Sequence, residues 1–68
     1  MNLNALKSVM ALHGDTNKSL ADAMGISQQR LSAKRNEKRG AEFSQGEIAF
    51  IKERYNLTPK EIDNIFFN

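Results

Sequence analysis

Three residues, Gly25-Ile26-Ser27, separate two stretches that each read as a short amphipathic helix, and this spacing constrains the fold more than any other feature of the chain. The first stretch, Asn17–Met24, brings Leu20, Ala21 and Met24 to one face; the second, Gln28 to about Arg35, turns Leu31 inward. Glycine readily takes the left-handed conformation just past a helix C-terminus, so Gly25 stops the first of the two. Ser27 is suited to cap the second, because its hydroxyl accepts from a backbone N–H that the opening turn leaves unpaired. A connection of about three residues forces the helices to cross sharply and pack on each other.

Capping signals and 3.6-residue periodicity place three more helices around this pair, and no Val/Ile/Thr alternation marks a strand. One runs from about Leu3 to His13, capped by Asn2 or Asn4 and ended by Gly14, with Leu6, Val9, Met10 and His13 as its inner stripe. Ser44-Gln45-Gly46-Glu47 and Thr58-Pro59-Lys60-Glu61 both fit the S/T-x-x-E capping box, in which hydroxyl and carboxylate reciprocally satisfy orphan backbone donors. Pro59 falls at the first helical position, where its missing N–H costs nothing. These boxes open a fourth helix over about Gln45–Tyr55 and a fifth over about Pro59–Phe67, with Asn36–Phe43 as the longest polar loop. The expected fold is all-α, five helices in a single domain over residues 1–68, since so short a chain buries too little surface for two cores.

With no cysteine and one histidine, the chain has neither a disulfide nor the usual four ligands of a zinc site. His13 has no serine or cysteine in a nucleophile arrangement and there is no glycine-rich phosphate loop, so no catalytic residue, metal or cofactor is expected and the chain does not read as an enzyme. No basic segment followed by an apolar run opens the chain, and no apolar stretch is long enough to cross a bilayer; a cytoplasmic location follows as the expectation. The net charge of +2 hides an asymmetry. Residues 27–40 carry Arg30, Lys34, Arg35, Lys38 and Arg39 against Glu37, a local +4, while the rest of the chain sums to −2. Local positive potential of this kind is what phosphate binding needs, and it coexists with a nearly neutral whole.

The pattern Leu20-Ala21-x-x-Met24-Gly25-Ile26-Ser27-x-x-x-Leu31 meets the chemical needs of a helix-turn-helix. Ala21 is small enough for close approach, Gly25 makes the turn, and Ile26 and Leu31 lock the pair. Here the chain resembles the Cro/repressor (XRE-like) family of phage regulators, over nearly its whole length. Ser27-Gln28-Gln29 looks like the start of the recognition helix in lambdoid repressors. Leu31-Ser32-Ala33-Lys34-x-Asn36, Phe43-Ser44-x-x-Glu47-Ile48 and Glu61-Ile62-x-x-Ile65-Phe66-Phe67 look more like small regulators from phages of Gram-positive bacteria.

The resemblance implies a five-helix, lambda-repressor-like domain that binds a double-stranded DNA operator as a homodimer inside a bacterial host cell. It implies that Gln28 and Gln29 enter the major groove from the N-terminal end of the third helix. A glutamine amide presents a donor and an acceptor side by side, which matches the N6/N7 edge of adenine. Ser32 and Ala33 lie one turn further on, where Ala33 is able to touch a thymine methyl. Asn17, at the start of the second helix, is the position at which the family holds a phosphate, and Lys18, Arg30, Lys34, Lys38 and Arg39, assisted by Asn36, form the electrostatic set. Two departures stand out. Lambdoid relatives often pair an arginine in the first helix with a glutamate near the end of the third, where this chain has Met10 and Arg35. The loop that usually reads Asn-Gly here reads Asn36-Glu37, so either Asn36 is left-handed or the turn differs.

Ile48, Ile51 and Tyr55 in the fourth helix and Ile62, Ile65 and Phe66 in the fifth are expected in the core. Phe50 and Phe67 fall outside those stripes. Either they form an exposed apolar patch for self-association or for a partner protein, or the C-terminal end folds back and packs Phe67 internally. A rival function follows from the same aromatics: a modulator with the helix-turn-helix fold that binds another regulator protein, as an antirepressor does.

Overall fold

Each helix begins on a polar side chain that turns back onto its own first turn. The computed structural model describes residues 1–37, 40 and 42–67, which form five helices: α1 (Leu3–Leu12), α2 (Asn17–Met24), α3 (Gln28–Arg35), α4 (Gln45–Tyr55) and α5 (Pro59–Phe66). The cap of α1 is Asn2, whose Oδ1 accepts from the Ala5 N–H at 3.1 Å. Ser27 caps α3 in the same way, accepting from Arg30 N–H at 3.1 Å. Both capping boxes close. Ser44 accepts from Glu47 N–H at 3.2 Å while Glu47 accepts from Ser44 N–H at 2.8 Å; the Thr58 and Glu61 pair does likewise at 3.2 and 2.9 Å. A third box opens α2, where Ser19 takes the place of the carboxylate and accepts from Thr16 N–H at 2.8 Å.

Helix ends are equally regular. Residues with positive φ follow the first four helices: Gly14 (+72°), Gly25 (+73°), Glu37 (+53°) and Asn56 (+53°). After α1, α2 and α4 the next residue donates back across the turn, Asp15 to Met10 carbonyl at 2.8 Å, Ile26 to Ala21 at 3.0 Å and Leu57 to Lys52 at 2.9 Å, completing Schellman motifs. After α3 the left-handed residue is Glu37, and Asn36 has φ −97°. The alternative of a left-handed Asn36 is overturned: Glu37 itself takes the positive φ, at the position where the Asn-Gly pattern has its glycine.

The stripes of all five helices meet in one core, in which Leu6, Leu20, Leu31, Ile51 and Ile65 are fully buried. α2 packs on α3, and α5 packs on both α1 and α4. Asn2 N–H donates to the Ile65 carbonyl at 2.7 Å, which ties the start of α1 to α5. Val9, Met24, Ile26, Ile48 and Phe66 are half-buried against this core. His13, expected in the inner stripe of α1, instead caps that helix from an exposed position, its ring 5.0 Å from that of Tyr55. Phe43, read as the end of a polar loop, is buried and meets Phe66 edge to face at 5.5 Å. The radius of gyration, 10.9 Å, is that of a close-packed chain of this length. No helix among the described residues is long and apolar enough to cross a membrane.

Candidate nucleic-acid interface

α3 has one face committed to the core through Leu31 and one open to solvent. Gln28 and Gln29, its first two residues, are exposed, as is Arg30; Ser32 and Ala33, one turn further, are half-buried. The Ser27 cap occupies the Arg30 N–H, which fixes the opening turn beneath the two glutamines. Arg30, Ala33, Lys34, Gly40 and Glu42 line an open groove beside the helix.

Asn17 is half-buried and fully engaged. Its Nδ2 donates to the Gln28 carbonyl and to Ser32 Oγ, both at 3.3 Å, and its Oδ1 accepts from Arg35 Nη1 at 2.9 Å. The start of α2 is thereby bound to three residues of α3. Arg35, which has Met10 where the lambdoid pattern has an arginine, is turned to Asn17 while Met10 joins the core. Arg35 Nε is buried without a partner among the described residues. An unsatisfied buried donor costs about 1–3 kcal/mol.

The basic residues divide by environment. Lys34 Nζ donates to Glu47 Oε1 at 3.0 Å and to the Glu42 carbonyl at 3.2 Å, with its side chain only 14 % exposed, so it links α3 to the start of α4. Burial pushes the Glu47 carboxyl up, but the Ser44 N–H and the Lys34 ammonium outweigh it and hold the group below its ordinary value. Lys18 pairs with Asp22 one turn along α2 at 2.9 Å, with both side chains largely in solvent; such a contact is weak enough to yield to a phosphate. Asn36 Nδ2 donates to the Ser32 carbonyl at 2.9 Å. Arg30 makes no ion pair among the described residues. Lys38 and Arg39 lie outside the described residues.

Phe50 and Phe67 are both exposed, and they line different depressions. Phe50 sits with Met24, Ser44, Gly46 and Glu47, and Phe67 with Met1, Phe43, Ile48 and Phe66. Leu12, at the end of α1, is the most exposed large apolar side chain among the described residues.

Arg35, which sequence reasoning counted in the basic block but gave no contact, is the residue of this surface that holds Asn17. No three His, Asp or Glu side chains among the described residues are grouped so as to hold a metal ion. Compared with known proteins, the chain matches no family model, no curated protein and no solved structure.

Proposed function

We propose that the chain is a sequence-specific, double-stranded DNA-binding transcriptional regulator of the Cro/repressor type, in which α2 and α3 act as a helix-turn-helix. The observation that carries this is the exposed pair Gln28 and Gln29, side by side at the start of a helix whose back is held against α2 by Leu20, Ala21 and Leu31. A helix so braced presents its N-terminal side chains to the major groove without an ordering cost at the moment of binding. Gln28 and Gln29 read adenine edges, and Ser32 and Ala33 read the adjoining base pairs. Arg30 supplies phosphate contact, joined by Lys18 once it leaves Asp22 and by Lys38 and Arg39. Two copies bind a palindromic operator in the cytoplasm of the host cell, with no cofactor and no catalytic step.

Selection of bound duplexes from a random pool at 0.1 M salt tests this. Enrichment of a palindrome with adenines in each half-site is the expected result, with the preference altered by Gln28→Ala or Gln29→Ala. No enrichment at any position overturns it. The exposed Phe50, Phe67 and Leu12 favour a second reading, in which the same fold works as a modulator by binding another regulator protein.

A further inference from the structure

Arg35, Asn17 and Ser32 form one hydrogen-bonded run where α2 meets α3. A guanidinium has donors only, so the atom of Asn17 that faces Arg35 Nη1 at 2.9 Å must be the amide oxygen. The amide nitrogen is then turned the other way, toward the Gln28 carbonyl and Ser32 Oγ, each at 3.3 Å. A carbonyl only accepts, which fits the same orientation. Both ends of the Asn17 side chain thus agree on one flip state, and the guanidinium enforces it.

The consequence falls on Ser32. A helical serine commonly donates its hydroxyl proton to the carbonyl four residues back, which is Gln28. That carbonyl already receives the Ser32 N–H of the helix and the Asn17 Nδ2. Ser32 Oγ itself accepts from Asn17. No acceptor for its own proton is found among the described residues, which leaves the hydroxyl free to donate outward from α3.

We propose that Arg35 is a positioning residue that, through Asn17, makes Ser32 a hydrogen-bond donor toward the major groove and so biases the base pair beneath it toward an acceptor edge. Such edges are purine N7, guanine O6 and thymine O4; the disfavoured partner is the cytosine N4 amino group. This rests on the DNA-binding function proposed above. Arg35 touches no base in this arrangement, and its Nε is buried without a partner among the described residues.

The experiment compares the wild type with Arg35→Met and Asn17→Asp by random-duplex selection at fixed salt, alongside thermal melts. Arg35→Met removes the buried donor and keeps an unbranched apolar stem. It is expected to melt at or above the wild-type temperature while losing roughly fivefold of base discrimination at one position per half-site, the loss of one hydrogen bond. Asn17→Asp keeps a partner for Arg35 but presents only acceptors to Ser32, drawing its proton inward; the preference at that same position is expected to move toward cytosine. If the wild type enriches a site and Arg35→Met reads it identically, this inference is overturned and the DNA-binding function stands. A preference lost equally at every position in Arg35→Met, together with a lower melting temperature, marks a structural role only and also overturns it. If the wild type enriches nothing, it is the DNA-binding function that fails.

Discussion

Arg54 closes a two-point ion pair on Asp15, 39 residues earlier in the chain, with Nε to Oδ2 at 2.8 Å and Nη2 to Oδ1 at 2.9 Å. Tyr55 adds its hydroxyl to Oδ2 at 2.6 Å, and Ser19 donates to Oδ1 at 2.7 Å. One carboxylate therefore joins the α1–α2 turn to the end of α4. Tyr55 is buried, and among the described residues its hydroxyl donates to Asp15. Tyr55→Phe is expected to cost about 1.5–3 kcal/mol, the worth of a hydrogen bond to a charged group, and to lower the melting temperature by several degrees or more. An unchanged melting temperature by circular dichroism would show that the Arg54 fork alone holds the turn.

Acid should open the same junction. The hydrogen bond from Arg54, with help from Tyr55 and Ser19 against the opposing effect of burial, holds Asp15 well below the usual carboxylate range. A carboxyl depressed in the folded state binds its proton more weakly there than in the unfolded chain. Its stabilisation is complete above the unfolded value, about 4, and is lost as pH falls through the folded one. The melting temperature is expected to hold from pH 7 to about pH 5 and to decline steeply below about pH 4. Asp15→Asn, which has no such proton to take up, should start lower and decline less. Parallel acid limbs in the two proteins would place the acid sensitivity elsewhere, with Glu47 as the next group to test.

Lys34 and Arg30 lie one turn apart on α3, yet their loss should be felt in different assays. Lys34 is tied to Glu47 and half-buried, whereas Arg30 is exposed. Lys34→Ala leaves a partly buried carboxylate without its cation and is expected to cost about 1–2 kcal/mol of stability. Arg30→Ala is expected to leave the melting temperature within about 2 °C of wild type and to reduce the slope of log affinity against log salt by about 1. A Lys34→Ala protein that melts like wild type but shows the reduced slope would assign that lysine to phosphate instead.

Much of the fold was legible because its signals are local. The Ser44/Glu47 and Thr58/Glu61 boxes, Gly14, Gly25 and the Ser27 cap each declare themselves within four residues, and they set the helix boundaries to within one residue. Phe43 and Asp15 were opaque for the opposite reason. Phe43 stands in a polar loop and is buried only because α5 brings Phe66 against it; Asp15 looks like one more surface charge until α4 delivers Arg54 and Tyr55. The exposure of Gln28 and Gln29 was readable from the resemblance to a recognition helix. The engagement of Asn17 with Arg35 was not, because spacing along the chain says nothing about which of several nearby polar partners an amide will choose.

Glu37 carries the one feature of the turn after α3 that composition argues against. A non-glycine residue at φ +53° is strained by roughly 1 kcal/mol. Its carboxylate offsets part of this by meeting the Met1 ammonium at 3.0 Å, an exposed contact of small worth. Glu37→Gly is therefore expected to raise stability by about 0.5–1 kcal/mol in urea denaturation, and Glu37→Gln, which loses the ion pair and keeps the strain, to lower it slightly. Should Glu37→Gly instead fall below the wild type, the lost ion pair outweighs the relief of backbone strain.

Self-association, if two copies are to read a palindrome, has two aromatic starting points that are not equivalent. Phe67 is 66 % exposed at the end of α5, while Phe50 is 36 % exposed midway along α4, beside Met24. A side chain on the middle of a packed helix loses less freedom when it is covered than one just past a helix end, so more of its buried area survives as affinity. In a two-fold contact each copy contributes the same patch, and one central aromatic is counted twice. Phe50→Ala is expected to weaken self-association at least tenfold in sedimentation across a concentration series, and Phe67→Ala by less, with helical content unchanged in both. Loss of association on Phe67→Ala with Phe50→Ala unaffected would move the interface to the α5 end, where Met1, Phe43 and Ile48 line the adjoining depression.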